Sequence, residues 1–165
     1  MRRSGATATR RPRWLVAGAA ALAATLFAGS AHAVLGGAVA SVHDDRARLK
    51  ATILAARPLA AGTTVHEMVL ADGSSIREHV NADGVVFAVS WSTRFKPDLA
   101  ALLGSHAAGY ALAASQAMGR AGVRHQATLQ RDDLVVHATA HLNAHVGVAY
   151  LRSLVPDGVR PDALR

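Results

Sequence analysis

The chain has 165 residues, with 18 Lys and Arg, 11 Asp and Glu, and no cysteine. The missing cysteine excludes disulfide bridges, thiolate metal sites, a cysteine nucleophile and a lipidated cysteine. Five of the 18 basic residues lie before residue 14 without any acid, which leaves 13 basic against 11 acidic residues in the rest of the chain. This near balance predicts no basic patch of the kind that binds nucleic acid.

Residues 1–33 have the pattern of a removable export signal. An apolar run, Trp14 to Ala28, precedes the small-x-small sequence Ala31-His32-Ala33. At about fifteen residues the run is shorter than the roughly 20 that a spanning helix needs, so a retained anchor is the less favoured alternative. Thr9-Arg10-Arg11 matches a twin-arginine signal only faintly. We predict Sec-type export, cleavage after Ala33, a periplasmic or secreted location, and one domain over residues 34–165 without a transmembrane segment. The basic residues of the leader are Arg2, Arg3, Arg10, Arg11 and Arg13.

A short helix and a strand are the first elements predicted after the leader. The helix runs from Asp44 to Ala56, because aspartates suit its N-terminal end and Pro58 disfavours helical geometry just before it. From Thr63 to Leu70 apolar and polar residues alternate, which indicates a strand.

Two turn sequences extend this strand into a predicted three-stranded meander. Asp72-Gly73 is the preferred two-residue hairpin turn, and a second strand follows from Ser74 to Val80. Asn81-Ala82-Asp83-Gly84 leads to a third strand, Val85 to Trp91. The meander is predicted to have one apolar face, formed by Val65, Val69, Ile76, Val80, Val85, Phe87, Val89 and Trp91.

One long helix, from Pro97 to Ala117, is predicted to cover this face. Pro97 and Asp98 suit a first helical turn, and Gly119 is a suitable end. The residues at helical spacing are Leu99, Leu102, Leu103, His106, Tyr110, Ala113 and Ala117.

Three further strands are predicted, over Gln126–Leu129, Leu134–Thr139 and Val146–Leu154, with Arg131-Asp132-Asp133 as a turn. Together the elements predict an α+β fold, in which an antiparallel sheet of five or six strands packs against one long helix, with the small N-terminal helix at its edge.

Six short segments carry a resemblance to a known family. They are Leu35-Gly36-Gly37, Ile76-Arg77-Glu78-His79-Val80, Gly84-Val85-Val86-Phe87-Ala88-Val89-Ser90-Trp91, Pro97-Asp98-Leu99 with Leu102-Leu103-Gly104, Asp133-Leu134-Val135-Val136 and Ala149-Tyr150-Leu151. The chain resembles the short exported bacterial proteins classified as domain of unknown function 2844. Because that family has no established activity, the resemblance implies export and a single domain but no catalytic residue. His79 stands where a tyrosine is usual, and Ser92-Thr93 where a glycine often follows the tryptophan, which argues against a strict chemical role there.

Three histidines at four-residue intervals are candidate metal ligands: His137, His141 and His145. On a helix this spacing brings the rings to one face, where imidazoles can share a transition-metal ion. On a strand consecutive rings are about 13 Å apart. Leu134-Val135-Val136 before the series, and Asn143 and Gly147 within or after it, favour a strand followed by a loop over a helix, so partly exposed histidines are the favoured interpretation. His141 and His145 across a turn remain the metal hypothesis, and no cofactor is otherwise predicted.

The first hairpin offers a second candidate site. If Asp72-Gly73 is a two-residue loop, Glu67 lies opposite Glu78 and His66 opposite His79. Two carboxylates can divide acid and base roles, as in glycoside hydrolysis, and paired histidines can bind a metal. Like charges directly opposed are unfavourable, so the same pattern also fits a register shifted by one residue.

Trp91, Phe95 and Tyr110 are candidates for lining a ligand pocket between sheet and helix, although aromatic residues at such spacing more often form core. The sequence has no Gly-x-Ser-x-Gly, His-Glu-x-x-His or phosphate-loop motif. The leading hypothesis is therefore an exported, non-enzymatic protein that binds an unknown protein or small ligand of the cell envelope. Histidine-based metal binding is the alternative, and a hydrolase that uses Glu67 and Glu78 is the third.

Overall fold

Residues 35–118 and 126–164 are described in a computed structural model, so the predicted leader lies outside the described residues. Within these ranges the chain forms one seven-stranded antiparallel sheet of order β1-β2-β3-β4-β7-β6-β5. Two meanders, β1 to β4 and β5 to β7, meet where β4 pairs with β7, and we call this pairing the seam. The strands are β1 (Thr52–Pro58), β2 (Thr64–Val69), β3 (Ser75–Val80), β4 (Val86–Thr93), β5 (Gln126–Arg131), β6 (Leu134–His141) and β7 (Ala144–Leu151).

The α+β class is confirmed, whereas five or six strands is wrong because β1 was predicted as helix. The first helix, α1, spans only Val42–Arg48. Lys50 then takes a positive φ of 50°, which ends the helical path. The following residues, although rich in alanine, pair with β2 along the sheet edge. Strand pairing therefore outweighs the helix propensity of this run.

The β2–β3 hairpin has a three-residue loop, so the predicted register is wrong by one residue. Leu70 N donates to Ser74 O at 2.8 Å, and Gly73, at φ 82°, supplies the left-handed residue that follows a turn in such loops. Asp72 accepts from Ser74 N at 2.9 Å, which holds the loop closed. A one-residue slip moves side chains to the opposite face of the sheet.

The predicted single apolar face of the meander is therefore divided between both faces. Ile76, Val80, Val89 and Trp91 belong to one core cluster, which also contains Leu102 and Leu103 of the helical layer. Val65, which pairs with His79, and Val69, which pairs with Ser75, lie on the opposite face. Phe87 lies on that face as well, because the β3–β4 register shifts at a bulge between His79 and Val80.

One long helix from Pro97 to Ala117 is also wrong, because the helix breaks at Gly104. Asp98 caps α2 (Leu99–Leu103) by accepting from Ala101 N at 3.0 Å. Gly104 has φ 50° and ψ −119°, a conformation that suits glycine. A 3-10 turn follows, and then α3 (Ala107–Met118); Gly119, the predicted stop, lies outside the described residues.

The other face of the sheet is covered only in part. Leu154, Val155, Val159 and Leu164, which we call the C-terminal cover, pack against a second cluster. That cluster consists of Phe87, Ala88, Val135, Val148 and Tyr150, with Leu164 itself. The strand predicted over Val146–Leu154 is shifted: β7 begins at Ala144 and ends at Leu151. A 3-10 turn follows, and the C-terminal cover begins there with Leu154. No helix among the described residues is long and apolar enough to cross a membrane.

Candidate binding surface on the uncovered half of the sheet

Beyond the C-terminal cover, the face opposite the helices carries two rows of side chains that the strand register places side by side. We call these rows the open face. The row nearer the β6–β7 turn includes Val69, Ser75, Ser92, Val146 and Thr139. The next row is Glu67, Arg77, Ser90, Val148, His137 and Thr128, in which Ser90 and Val148 are buried at the edge of the C-terminal cover. Hydroxyl groups dominate, and Val146 is 43% exposed among them. The open face is therefore polar with a small apolar centre.

Glu67 and Arg77 are the charged pair of the open face. Glu67 Oε1 lies 2.9 Å from Arg77 Nε and 2.8 Å from Arg77 Nη2, so one carboxylate oxygen accepts two bonds from the guanidinium. The two side chains are 22% and 37% exposed. An arginine carries five N–H donors in a planar fork, and this pair fixes the plane of that fork on the open face.

Two shallow cavities of about 60 Å³ each lie on either side of Val146 and Gly147. The first is lined in addition by Ser75, Arg77, Ser90, Trp91 and Ser92, and the second by Ala127, Thr128, His137, Ala138 and Thr139. Enclosed small-molecule sites usually have at least about 300 Å³. The open face is therefore shaped for a flat contact rather than for an engulfed ligand.

Gly147 allows the indole of Trp91 to lie against β7 on the helix side. A Cβ added at Gly147 would come 2.6 Å from Trp91 Cε2 and 2.7 Å from His137 O, and closer still to Trp91 Cζ2. Only glycine fits such an approach. This packing role of Gly147 was not predicted; the signal that could have shown it is a glycine between the two valines of β7, Val146 and Val148.

His79 and Ser90 bring an imidazole and a hydroxyl together beside the C-terminal cover. His79 Nε2 lies 3.4 Å from Ser90 Oγ, and the two residues are 4% and 3% exposed. The pKa of His79 is lowered to about 4, mainly by burial; a backbone hydrogen bond of Leu164 opposes this shift, and the charge of Arg77 adds to it. His79 Nδ1 has no short hydrogen-bond partner among the described residues, so no acid orients this ring as in a catalytic triad.

Residues 31–164 match the family model described as Protein of unknown function (DUF2844). The chain belongs to the DUF2844 family. No curated protein and no solved structure matches the chain.

Several of the segments that resemble DUF2844 contact one another in the fold. Gly36 N donates to Val86 O at 2.8 Å, and Val86 N donates to Gly37 O at 2.9 Å, so the first segment is tied to the start of β4. Leu35 N donates to Leu102 O at 3.3 Å, which links it to α2. At the other meander Asp133 O accepts from Arg152 N, next to β7. These bonds tie the first DUF2844 segment to β4 and α2, and the segment that begins at Asp133 to the end of β7.

All three histidines lie on strands, whereas the sequence favoured a strand at His137 followed by a loop. They are split between the two faces of the sheet. His137 and His141 are on the open-face side of β6, whereas His145 pairs with Ala140 on the helix side. His137 Nδ1 lies 3.1 Å from Thr128 Oγ1. Among the described residues no group of three His, Cys, Asp or Glu side chains is placed to hold a metal ion.

The two glutamates of the first hairpin are also on opposite faces. Glu67 pairs with Arg77 on the open face, whereas Glu78 is fully buried on the helix side and pairs with His66. Burial, and then the nearby charge of His43, lower the pKa of His66. The predicted contacts of Glu67 with Glu78 and of His66 with His79 are therefore wrong, for the reason that the hairpin loop has three residues.

The three aromatic candidates lie in different surroundings. Trp91 is buried in the helix-side core, and Tyr110 is half-buried against the same core, where burial raises its pKa. Phe95 is 63% exposed in the loop after β4. The structure brings Trp91 and Tyr110 to one cluster and leaves Phe95 at the surface.

Proposed function

We propose that the protein is an exported, non-enzymatic binding protein of the cell envelope, and that the open face binds a protein partner. The observation that carries this proposal is the division of one sheet face into a covered half and an uncovered half with a different composition. Fully buried valines lie under the C-terminal cover, while hydroxyl groups and one ion pair surround Val146 beyond it.

The composition of the open face supports a protein partner over an enclosed small ligand. Protein interfaces combine an apolar centre that has few charges with a polar rim, and arginine is enriched in them. Val146 supplies the centre, and the serines and threonines of neighbouring strands supply the rim. The shallow cavities on either side of Val146 favour a flat contact.

The surroundings of the closest hydroxyl–imidazole pair support a binding role over catalysis. Ser90 and His79 are both nearly inaccessible, whereas a nucleophile must reach its substrate. The depressed pKa of His79 reflects burial first, which is the ordinary fate of a histidine enclosed by packing. Export rests on the leader pattern of residues 1–33 and on the resemblance to an exported family.

Native mass spectrometry of the chain recovered from its host's envelope fraction is the first test. We expect the intact mass of a chain cleaved after Ala33, together with a complex whose added mass is that of a protein and survives a chelator. Mass lost with the chelator would instead indicate a metal, and a chain found only in the cytoplasm with its N-terminus intact would contradict the proposal.

Photo-crosslinking locates the contact. A photoreactive residue at Val146 or Thr139 should give one common protein adduct, and the same residue at Leu59 or Leu112, which are exposed elsewhere, should not give it. Arg77→Glu should remove the adduct at Val146, because it places a second negative charge directly opposite Glu67 and makes this part of the open face negative. Equal adducts from all four positions would contradict a role for the open face.

A further inference from the structure

Two apolar side chains project from neighbouring loops at one end of the sheet. Leu142, at the β6–β7 turn, is 97% exposed, and Phe95, after β4, is 63% exposed. They are the two most exposed large apolar side chains among the described residues. The loops are neighbours because β4 pairs with β7, with Thr93 opposite His145. We call Arg94–Lys96 together with His141–Asn143 the apolar tip.

The loop that carries Phe95 is held in place by hydrogen bonds. Thr93 Oγ1 lies 2.7 Å from the carbonyl oxygen of Phe95 and 3.3 Å from that of His145. Arg94 N donates to Ser74 Oγ at 3.1 Å, which ties the same loop to the β2–β3 turn. The exposure of Phe95 is therefore a property of an anchored loop, fixed on both sides by adjacent strands.

Neither exposed side chain is explained by the local fold. The residue with positive φ in the β6–β7 turn is Asn143, at 60°, and asparagine suits that conformation. The turn geometry therefore does not require an apolar side chain at Leu142. Phe95 and Leu142 are absent from both core clusters. Exposed apolar residues that are grouped rather than scattered mark interaction sites.

The charges around the apolar tip indicate the chemistry of its partner. Arg94 and Lys96 flank Phe95 directly, and both are exposed. Asp72 and Asp98 are the acids of the adjoining loops, and they accept hydrogen bonds from Ser74 and Ala101. The hydrogen bonds of Ser74, and then the charge of Arg94, lower the pKa of Asp72, so Asp72 offsets part of the charge of Arg94. Basic side chains beside exposed apolar ones are the combination that binds an anionic lipid surface, because the cations meet headgroups while the apolar groups enter the acyl boundary.

We propose that the apolar tip docks on an anionic phospholipid surface, with Phe95 and Leu142 inserted and with Arg94 and Lys96 against the headgroups. The strands then meet the membrane end-on, which leaves the open face accessible to a partner. This inference concerns a different surface from the proposed function and goes beyond it, so each can fail while the other stands.

Vesicle co-sedimentation tests the apolar part of the proposal. The probe is phosphatidylglycerol vesicles, compared with phosphatidylcholine vesicles, and the protein is the whole chain in the form that its host exports. The double variant Phe95→Ser, Leu142→Ser should bind phosphatidylglycerol at least about fivefold more weakly than the parent. The matched control is Leu59→Ser, Leu112→Ser, which removes two exposed apolar residues elsewhere and should bind within about 1.5-fold of the parent.

Charge variants test the choice of lipid. Arg94→Ser, Lys96→Ser should lose binding to phosphatidylglycerol by about fivefold, and raised salt should weaken the parent to a similar extent. Arg57→Ser, Arg160→Ser removes two exposed arginines outside the apolar tip and should leave binding unchanged. Equal binding to both kinds of vesicle would overturn the requirement for anionic lipid.

A fluorescent variant keeps the proposal testable if a double variant folds poorly. Phe95→Trp places an indole at the tip, and its emission should shift to shorter wavelength when phosphatidylglycerol vesicles are added, as a ring leaves water. Leu112→Trp is the control and should show no shift. No shift at residue 95, or equal losses in the tip and control double variants, would overturn the proposal.

Discussion

The two faces of this sheet are built from the same strands but are covered to different extents. On the helix side Val89 and Trp91 of β4 lie in a continuous core beneath α2. On the other side their neighbours Ser90 and Ser92 belong to the open face, and only the C-terminal cover buries that side. Because successive side chains of a strand alternate between faces, stability can be supplied by one face while the other is left free to bind. We expect the largest mutational losses of stability on the helix side and the smallest on the open face.

The largest effect is expected at Gly147. Gly147→Ala places a Cβ in steric conflict with Trp91 and the His137 carbonyl oxygen. Removing this conflict requires either the Trp91 indole or the paired strands at the seam to move. The expected loss is about 3 kcal/mol in the free energy of unfolding, which is typical of severe overpacking. Urea denaturation followed by circular dichroism measures it.

Gly109→Ala is the matched control for this change. Gly109 lies within α3, and an added Cβ would meet Arg131 at an ordinary distance of 3.7 Å. In a helix alanine is favoured over glycine by up to about 1 kcal/mol, so this variant should be as stable as the parent or more stable. Equal stability of the Gly147 variant and the parent would show that the seam is less tightly packed than the distances require.

An intermediate effect is expected at the edge of the C-terminal cover, as a dependence of stability on pH. The pKa of His79 is about 4 in the folded chain and near 6.5 when unfolded, so the unfolded state binds the proton first as the pH falls. Protonation of His79 in the unfolded state therefore costs no stability above about pH 6.5, and it lowers the free energy of unfolding progressively as the pH falls toward 4. Between pH 7.5 and pH 5 the free energy of unfolding should decrease by about 2 kcal/mol.

Variants separate the effect of His79 from that of other groups. His79→Gln should remove this part of the acid sensitivity, whereas His141→Gln, at an exposed position, should retain it. Leu164→Ala opens the cover, and we expect it to raise the pKa of His79 in an NMR titration, because water reaches the ring. An unchanged acid sensitivity in the His79 variant would assign the effect to another group.

The smallest loss of stability is expected on the open face itself. Glu67→Gln and Arg77→Met each remove the ion pair, and an accessible pair contributes only about 0.2–1 kcal/mol. A double-mutant cycle in urea at low and high salt measures the coupling. The more exposed Arg131–Asp132 pair, with atoms 3.6 Å apart, provides a baseline near zero. A coupling as large as the Gly147 effect would mean that the open face also carries the fold.

The local elements of the fold were predictable where one pattern dominates. Period-two alternation located β2, β3 and β4, and the segment of His137 was correctly favoured as strand. His141 and His145 were expected in a loop but lie at the adjoining ends of β6 and β7. The β2–β3 register was missed because Asp-Gly suits both a two-residue loop and the end of a three-residue loop, and the two differ only in where the chain closes. The break at Gly104 was missed because the apolar spacing continues across it.

The site was less predictable than the fold, because it depends on long-range pairing. Glu67 and Arg77 become partners only through the observed register, and Val146 and Ser92 only through the seam. Strand β1 was missed since its alanines favour a helix until an edge strand is present to pair with. Periodicity within one segment carries no information about which segments become neighbours, so the open face could not be located from the sequence.

The seam also has a consequence for how the chain folds. Each meander consists of hairpins that close locally, within about microseconds, whereas Thr93 and His145 are separated by 52 residues. Closing so long a loop is entropically costly and slow, so we expect the pairing of β4 with β7 to limit the folding rate. Until that pairing forms, two valine-rich strand edges remain open to other chains, and the same pairing that completes the sheet is then what protects the nascent protein from aggregation.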